Sequence, residues 1–325
     1  MPRVLMLKDE DPRARVETID DERLPERAVT VDIDYSDLNY KDALAVTGKG
    51  KIVREYPFVP GIDFAGTVRD SESDRYAPGD RVILTGWGVG ERYWGGFAER
   101  MRVDADWLVP CPEDLTTREA MLFGTAGLSA MLAILRLEEA GLERGARVLV
   151  TGATGGVGSW AVQMLAHYHY EVYAVTGKPD QDQWLKELGA TEVLDRVEFK
   201  GEPRPLEKAR WAGAIDTVGD NPLANVIAQM EEHGRVAAVG LAGGSDLPTS
   251  VMPFILRGVS LLGVESARTP LAKRREVWQR IAELPAAMRE SMHVEEIGME
   301  LIAERAEAMI NADIHGRLLV DPHID

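Results

Sequence analysis

The sequence is nearly devoid of cysteine, since Cys111 is the only one in 325 residues. One thiol can form neither an intrachain disulfide nor a zinc site that needs several cysteines. We therefore expect a cytoplasmic protein from a reducing compartment. The first eleven residues lack the apolar core of a signal peptide, and we expect no apolar run of membrane-spanning length.

Positive charge is also scarce. Lys and Arg number 37 against 54 Asp and Glu, for a formal net charge of −17. Such a charge repels nucleic acid and anionic lipid at long range, so we expect neither as a partner and predict a small-molecule substrate. A high-salt source and simple solubility would each account for the acidic excess.

The length of 325 residues predicts two domains. In the first hundred residues Val29, Val31 and Ile33 alternate with polar positions, and a turn at 77–80 precedes an apolar strand, which favours a β-rich, partly open barrel. Thr116 with Glu119 resembles a capping box that starts a helical link. From residue 146 apolar strands alternate with helices, which predicts an α/β fold with a doubly wound parallel sheet.

A glycine turn at residues 151–158 lies between an apolar strand and an amphipathic helix. Glycines there let the backbone approach a pyrophosphate, whose charge is met by the helix N-terminus. Ala153 replaces the first glycine of the usual pattern. We predict a dinucleotide site at the residues that follow it: Thr154, Gly155, Gly156, Val157 and Gly158.

The end of the next strand selects the cofactor. An NAD enzyme usually places a carboxylate there, whereas this chain has Thr176, Gly177 and Lys178. A hydroxyl and a cation favour a 2′-phosphate, which predicts NADPH. The alternative is that Lys178 is solvated and Asp180 binds the ribose.

Several segments resemble the medium-chain dehydrogenase/reductase superfamily over essentially the whole chain: residues 37–42, 57–66, 151–158, 188–190, 216–219 and 234–240. Residues 38–42, 211–216 and 253–263 are similar, more narrowly, to its acryloyl-CoA reductase branch, known as YhdH/AcuI. The resemblance implies a GroES-like catalytic domain at 1–117 and 257–325 and a Rossmann NADPH-binding domain at 118–256.

The resemblance also implies an enzyme without zinc. Asn39 stands where zinc-dependent relatives have a cysteine ligand, and residues 61–63 stand where they have a histidine. Without a Lewis acid, hydride transfer to a conjugated acceptor is favoured, because the charge moves to an oxygen that ordinary hydrogen-bond donors can stabilise.

By the same resemblance, Tyr40 bonds the substrate carbonyl or helps deliver a proton, Asn39 is a second donor, and Asp42 orients them. Capping and packing are the alternative for Asn39 and Tyr40, and we expect Asp63 to be a structural carboxylate bonded to nearby backbone. Four further residues are expected to contact the cofactor: Lys41, Thr125, Val218 and Gly240.

These expectations favour NADPH-dependent reduction of a short 2-enoyl-CoA. A quinone or general enone reductase and a catalytically silent NADPH-binding protein stay open. A basic cluster could bind the CoA phosphates or form a solvated helix face: Arg268, Lys273, Arg274 and Arg275. We also expect a homodimer that pairs the edge strand at residues 259–264.

Overall fold

The computed structural model describes residues 1–10 and 13–324. The chain divides into two compact units. The first, the β-rich unit, comprises Met1–Leu128, Ser266–Pro285 and His293–Asp325. The second, the parallel-sheet unit, comprises Ser129–Glu265 and Ala286–Met292.

The strands, in chain order, are Arg3–Leu7 (β1), Ala14–Thr18 (β2), Val29–Asp37 (β3), Asp63–Ser71 (β4), Arg81–Thr85 (β5), Arg100–Val103 (β6), Leu108–Pro110 (β7), Arg147–Val150 (β8), Glu171–Thr176 (β9), Glu192–Asp195 (β10), Trp211–Asp216 (β11), Met230–Ala238 (β12), Ser260–Gly263 (β13), Val294–Ile297 (β14) and Arg317–Val320 (β15). The α-helices are Tyr40–Thr47 (α1), Thr117–Glu139 (α2), Gly156–His167 (α3), Asp182–Glu187 (α4), Asp220–Ala228 (α5), Met252–Arg257 (α6), Leu271–Ala282 (α7), Ala286–Glu290 (α8) and Ile302–Ile310 (α9). Short 3-10 turns lie at Asp21–Arg23, Ala105–Trp107, Pro179–Gln181, Arg196–Phe199 and Met299–Leu301.

The β-rich unit is built on a sheet with the strand order β14-β15-β3-β4-β5-β7, in which β6 also pairs with β3. The predicted alternation is confirmed, because Val29, Val31 and Ile33 of β3 are fully buried in one core. Apart from the parallel pair β14 and β15, neighbouring strands run antiparallel. The lone Cys111 follows β7 and is buried, and burial raises the pKa of its thiol to about 11.

The parallel-sheet unit has six strands in the order β10-β9-β8-β11-β12-β13, all parallel. This is the order of the dinucleotide-binding Rossmann sheet, which confirms the predicted fold. The order reverses between β8 and β11, so right-handed crossovers put the helices of the two halves on opposite faces. The edge strand predicted at 259–264 is shorter, at Ser260–Gly263.

Helix α2 begins where the sequence predicted. The Thr116 backbone N–H donates to Glu119 Oε2 at 2.8 Å, and the Glu119 N–H donates to Thr116 Oγ1 at 3.1 Å, which confirms the capping box. The expectation of no membrane-length apolar run is wrong, because Thr117–Glu139 is long and apolar enough to cross a bilayer by composition. However, 89% of the 18-residue apolar window within this helix is buried in the protein, as in a core helix.

Candidate active site

Helix α1 presents Tyr40 at its first position. Asn39 caps the helix, and its backbone N–H donates to Asp42 Oδ2 at 3.0 Å in a capping box. The second Asp42 oxygen accepts from the backbone N–H of Ile62 at 2.9 Å. Asp42 is fully buried, whereas the Tyr40 side chain is 41% exposed. The backbone at the start of α1 is therefore fixed by hydrogen bonds to the buried Asp42, while the phenol of Tyr40 is exposed.

Three buried carboxylates bond to Asn39, two at its side chain and one at its backbone. Its Nδ2 donates to Asp37 Oδ1 and to Asp63 Oδ2, each at 3.0 Å, while Asp42 caps its backbone. Arg317, 4% exposed, supplies the positive charge through an ion pair with Asp37. The Arg317 Nε also donates to the backbone carbonyl of Leu122 at 3.0 Å. We call Asp37, Asn39, Asp42, Asp63 and Arg317 the carboxylate cluster.

Asp63 connects this cluster to a break in helix α2. It accepts from the backbone N–H and from Oγ1 of Thr125, both at 2.6 Å. The preceding residue, Gly124, has a φ of 52°, and a β-carbon there would lie 3.0 Å from Asp63 Oδ2. Only glycine fits this conformation and this close approach. The expected structural role of Asp63 is consistent with these bonds, although its backbone partner lies 62 residues away in sequence.

Burial changes the ionisation of the cluster. Desolvation, together with the charge of Asp63, raises the pKa of Asp42 to about 7 despite the two backbone donors. The same two causes raise the pKa of Asp37 well above its usual value, against the lowering effect of Arg317. Because the cluster holds three carboxyl groups and one guanidinium, it retains a proton near neutral pH.

No group of three or more histidine, cysteine or acidic side chains in residues 1–10 and 13–324 has the geometry to hold a metal ion. The oxygens of Asp37, Asp42 and Asp63 instead accept hydrogen bonds from protein donors. Operation without a metal stays a prediction.

In the parallel-sheet unit the glycine turn follows β8 and leads into α3. Gly155 is the N-cap of that helix, and Thr154 is buried with its hydroxyl 3.4 Å from that of Thr176. A β-carbon at Gly158 would lie 2.7 Å from the Cα of Ala153, so glycine is required for the helix to approach the turn. The turn thus presents backbone N–H groups at a helix N-terminus.

The end of β9 lies beside this turn, because β8 and β9 are parallel neighbours. The Lys178 backbone N–H donates to Thr176 Oγ1 at 3.1 Å. A side chain at Gly177 would collide with the guanidinium of Arg196, which reaches over this glycine from the turn after β10. The sequence analysis missed Arg196. An arginine one strand further on, at the same sheet edge, was the signal that could have identified it.

Asp216, at the end of β11, joins the loops of this edge and was not predicted as a site residue. Its buried carboxylate accepts from Thr151 Oγ1 at 2.7 Å, from the Gly219 N–H at 2.7 Å and from the Val218 N–H at 3.3 Å. Burial raises its pKa, against the effect of these donors. Gly240 follows β12 and lies so close to Thr217 that a β-carbon would be 2.6 Å from its carbonyl oxygen.

The structure brings the predicted residues together in two groups. Asn39, Tyr40, Lys41, Asp42 and Thr125 lie in the β-rich unit, and the remaining cofactor residues lie at one edge of the parallel sheet. Both amide hydrogens of Asn39 are directed at carboxylates, and Lys41 Nζ pairs with Glu91 at 2.7 Å.

The basic cluster is not one solvated surface. Arg274 is fully buried and donates to Thr85 Oγ1 at 2.5 Å and to the backbone carbonyls of Ser266 and Ala267. Lys273 pairs with Glu276 at 3.0 Å. The expectation of a shared phosphate site or solvated face is therefore wrong for Arg274.

Comparison with known proteins identifies the family. Residues 25–113 match the alcohol dehydrogenase GroES-like domain, and residues 156–284 match the zinc-binding dehydrogenase family. The chain is 55% identical over 320 residues to probable acrylyl-CoA reductase AcuI of Escherichia coli K12, covering 97% of this chain and 98% of that protein. The chain belongs to the medium-chain dehydrogenase/reductase superfamily, in its AcuI/YhdH branch. The GroES-like fold expected for the β-rich part is thereby confirmed.

Other members of this superfamily extend the comparison. Acrylyl-CoA reductase AcuI of Ruegeria pomeroyi is 51% identical, covering 92% of this chain and 91% of that protein. YhfP of Bacillus subtilis, which carries a quinone oxidoreductase name, is 44% identical, covering 96% and 95%.

Two solved structures are similar over nearly their full length. The YhdH oxidoreductase of Salmonella enterica, in complex with NADP, has a TM-score of 0.96 and 53% identity, covering 98% of this chain and 99% of that chain. YhfP of Bacillus subtilis with NAD bound has a TM-score of 0.94 and 42% identity, covering 98% and 99%.

Proposed function

We propose that this protein uses NADPH to reduce the conjugated carbon–carbon double bond of a short 2-enoyl-CoA, such as acryloyl-CoA, without a metal. The observation that carries the proposal is the exposed phenol of Tyr40 at the first position of α1, a helix whose N-cap is bonded to the buried Asp42. The substrate class is supported by 55% and 51% identity to proteins named as acrylyl-CoA reductases.

The cofactor site that we propose occupies one edge of the parallel sheet. Thr154, Gly155, Gly156, Val157 and Gly158 fit the pyrophosphate, because they present backbone donors at the start of α3. Val218 and Gly240 border the same edge through the loops that Asp216 and Thr217 hold. Lys41 and Thr125 are proposed to contact the nicotinamide end.

NADPH is favoured over NADH by the groups around Gly177. Thr176, Lys178 and Arg196 combine a hydroxyl with two cations and fit a 2′-phosphate. The similar YhdH structure contains NADP, whereas the YhfP structure contains NAD, so the branch includes proteins bound to each.

The chemistry assigned to the chain follows from its donors. NADPH, when bound, supplies the hydride. The Tyr40 hydroxyl donates a hydrogen bond to the thioester oxygen, where negative charge accumulates as hydride adds to the β-carbon. The resulting enolate then takes a proton from solvent at its α-carbon, which gives the saturated thioester. Asn39 and Asp42 act as positioning residues, because their polar atoms are committed to the carboxylate cluster and to the cap of α1.

Reduction of a quinone is the second candidate, favoured by the similarity to YhfP. The two functions differ in their response to CoA. An enoyl-CoA reductase should be inhibited competitively by free CoA and should show a higher kcat/KM with acryloyl-CoA or crotonyl-CoA than with a soluble quinone. Binding of NADPH without its oxidation by any of these substrates would instead support the silent NADPH-binding protein.

A Tyr40→Phe variant tests the catalytic assignment. Removing the hydroxyl should lower kcat for acryloyl-CoA reduction by roughly 10²- to 10⁴-fold with little change in NADPH affinity. Tyr93→Phe is the matched control, because Tyr93 is 39% exposed in the same unit. Full turnover by Tyr40→Phe would refute the role of the phenol.

The assembly that we propose is a cytoplasmic homodimer. In the described part of the chain, the edge strand β13 pairs on one side only. Val251, Ile255 and Leu256, in and beside α6, expose apolar side chains. Sedimentation should detect a dimer that Ile255→Glu weakens, and a monomer at micromolar concentration would contradict it. The domain boundaries expected from the sequence, 1–117 with 257–325 and 118–256, stay a prediction. They differ from the two compact units, because β13 belongs to the parallel sheet.

A further inference from the structure

The loop after β5 contains a tryptophan in a strained conformation. Trp87 has a φ of 58°, between Gly86 and Gly88, which also have positive φ. The other non-glycine residues with positive φ in the described part of the chain are His169, Asp220, His233 and Ala312. Asp and His tolerate this region and alanine is small, whereas a bulky aromatic residue is a genuine outlier. Such strain persists only where surrounding contacts impose it, and it concentrates at ligand sites.

The contacts that impose the strained conformation of Trp87 come from one buried cation, Arg274. Arg274 is fully buried, and its guanidinium lies 5.3 Å from the centre of the Trp87 ring. The same guanidinium bonds Thr85, two residues before Trp87, and the carbonyl of Ala267. That carbonyl also accepts the backbone N–H of Trp87 at 2.8 Å. Backbone and ring are thus both fixed by Arg274 and its partner.

The indole nitrogen of Trp87 does not help to fix the ring. Its Nε1 is buried and has no hydrogen-bond partner within residues 1–10 and 13–324. The orientation of the ring therefore depends on the stacked guanidinium and on the strained backbone.

The loop is tied to the segment that fixes Tyr40. The Gly86 N–H donates to the carbonyl of Ile62 at 3.1 Å, and the Ile62 N–H donates to Asp42. Four residues beyond Trp87, Glu91 pairs with Lys41, the neighbour of Tyr40. Two connections thus bring the strained loop to the start of α1.

We infer that Trp87 is a specificity-determining wall of the acceptor site, limiting the length of the acyl chain, and that Arg274 is the positioning residue that holds it. The inference rests on the proposed reduction of enoyl thioesters. A rigid indole, on a loop whose backbone is hydrogen-bonded to the segment that binds Asp42, would leave room for a short acyl group and exclude a longer one.

The test compares acyl chain lengths. Trp87→Gly removes the ring and adopts positive φ without strain, so the loop backbone can persist. We expect the ratio of kcat/KM for 2-hexenoyl-CoA to that for acryloyl-CoA to rise at least about tenfold, since single methylenes discriminate by about that factor. Trp87→Phe should shift the ratio less, in the same direction. Trp107→Ala is the control, because Trp107 is partly buried and stacked under Arg27 at 5.5 Å, and it should leave the ratio unchanged.

A double-mutant comparison tests the role of Arg274. Lysine keeps the charge but not the planar stacked group, so Arg274→Lys should raise the ratio in the wild-type background and add nothing in Trp87→Gly. If Arg274→Lys changed only the stability of the protein, the ratio of kcat/KM for 2-hexenoyl-CoA to that for acryloyl-CoA would not change, and Arg274 would not position Trp87. Retention of NADPH binding shows that each variant is folded.

The outcomes are distinguishable. If the wild type reduces acryloyl-CoA but neither Trp87 variant moves the ratio by more than about twofold, the inference is overturned and the proposed function stands. If the wild type reduces neither thioester, both are overturned.

Discussion

The two units differ in how their buried carboxylates are compensated. In the parallel-sheet unit one buried carboxylate, Asp216, meets three donors. In the β-rich unit Asp37, Asp42 and Asp63 are all fully buried, and one guanidinium compensates them. In the parallel-sheet unit the carboxylate of Asp216 is thus compensated by hydrogen bonds, and it holds the loops in place. The carboxylate cluster buries three carboxyl groups beside one cation, and burial of so many like charges favours a protonated carboxyl group. The stability of this cluster should therefore depend on pH and on the presence of Arg317.

The largest effect should come from removing the sole cation of the carboxylate cluster. Arg317→Met leaves Asp37 buried beside Asp63 without its ion pair, which costs about 3–5 kcal/mol of the free energy of unfolding. Urea denaturation measures this loss. Arg118→Met is the control, because the Arg118–Glu296 pair is half exposed in the same unit and its loss should cost under about 1 kcal/mol. Equal losses in the two variants would contradict the comparison.

The carboxylate cluster should make the stability of the protein depend on pH. The pKa of Asp42 is about 7 in the folded protein against 3.8 for the free group. Between pH 4 and 7 the folded state thus binds more protons than the unfolded state, so the contribution of Asp42, up to about 4 kcal/mol, is complete below pH 4 and is lost as pH rises through 7. Asp37, whose pKa is also raised, acts in the same direction.

Unfolding free energies of the wild type and Asp42→Asn across this pH range measure that contribution. The wild type should lose more stability than the variant as pH rises. Parallel profiles would show that Asp42 is ionised throughout.

A smaller effect is expected from Asp216→Asn. The amide replaces one accepting oxygen with a donor that faces a backbone N–H, which costs about 1–3 kcal/mol and weakens NADPH binding through the Val218 loop. Asp246→Asn, at an exposed carboxylate of the same unit, should be neutral. An unchanged NADPH dissociation constant in Asp216→Asn would separate this carboxylate from the cofactor edge.

The smallest effects concern single phosphate contacts. Lys178→Ala and Arg196→Ala should each raise the dissociation constant for NADPH about tenfold and leave that for NADH unchanged, because one charge-assisted contact is lost. Fluorescence titration with both nucleotides measures the difference. Equal affinity for the two nucleotides in the wild type would favour Asp180 as the ribose partner.

The same contrast explains what the sequence could predict. The glycine turn is contiguous, and its strand and helix follow directly, so residues 151–158 identified both the fold and the predicted cofactor edge. The carboxylate cluster joins Asp37, Asp63 and Arg317, which are separated by up to 280 residues. No local pattern predicts such a meeting. Likewise, the break at Gly124 and the left-handed Trp87 result from tertiary contacts that override local preference.

Cys111 gives the protein a practical property. Because its thiol is buried and has a pKa of about 11, it carries almost no thiolate at neutral pH. A cysteine introduced on the surface would consequently be the one reactive with maleimides. Spectroscopic probes could be attached at a chosen position, for instance in the strained loop, without first deleting a native residue.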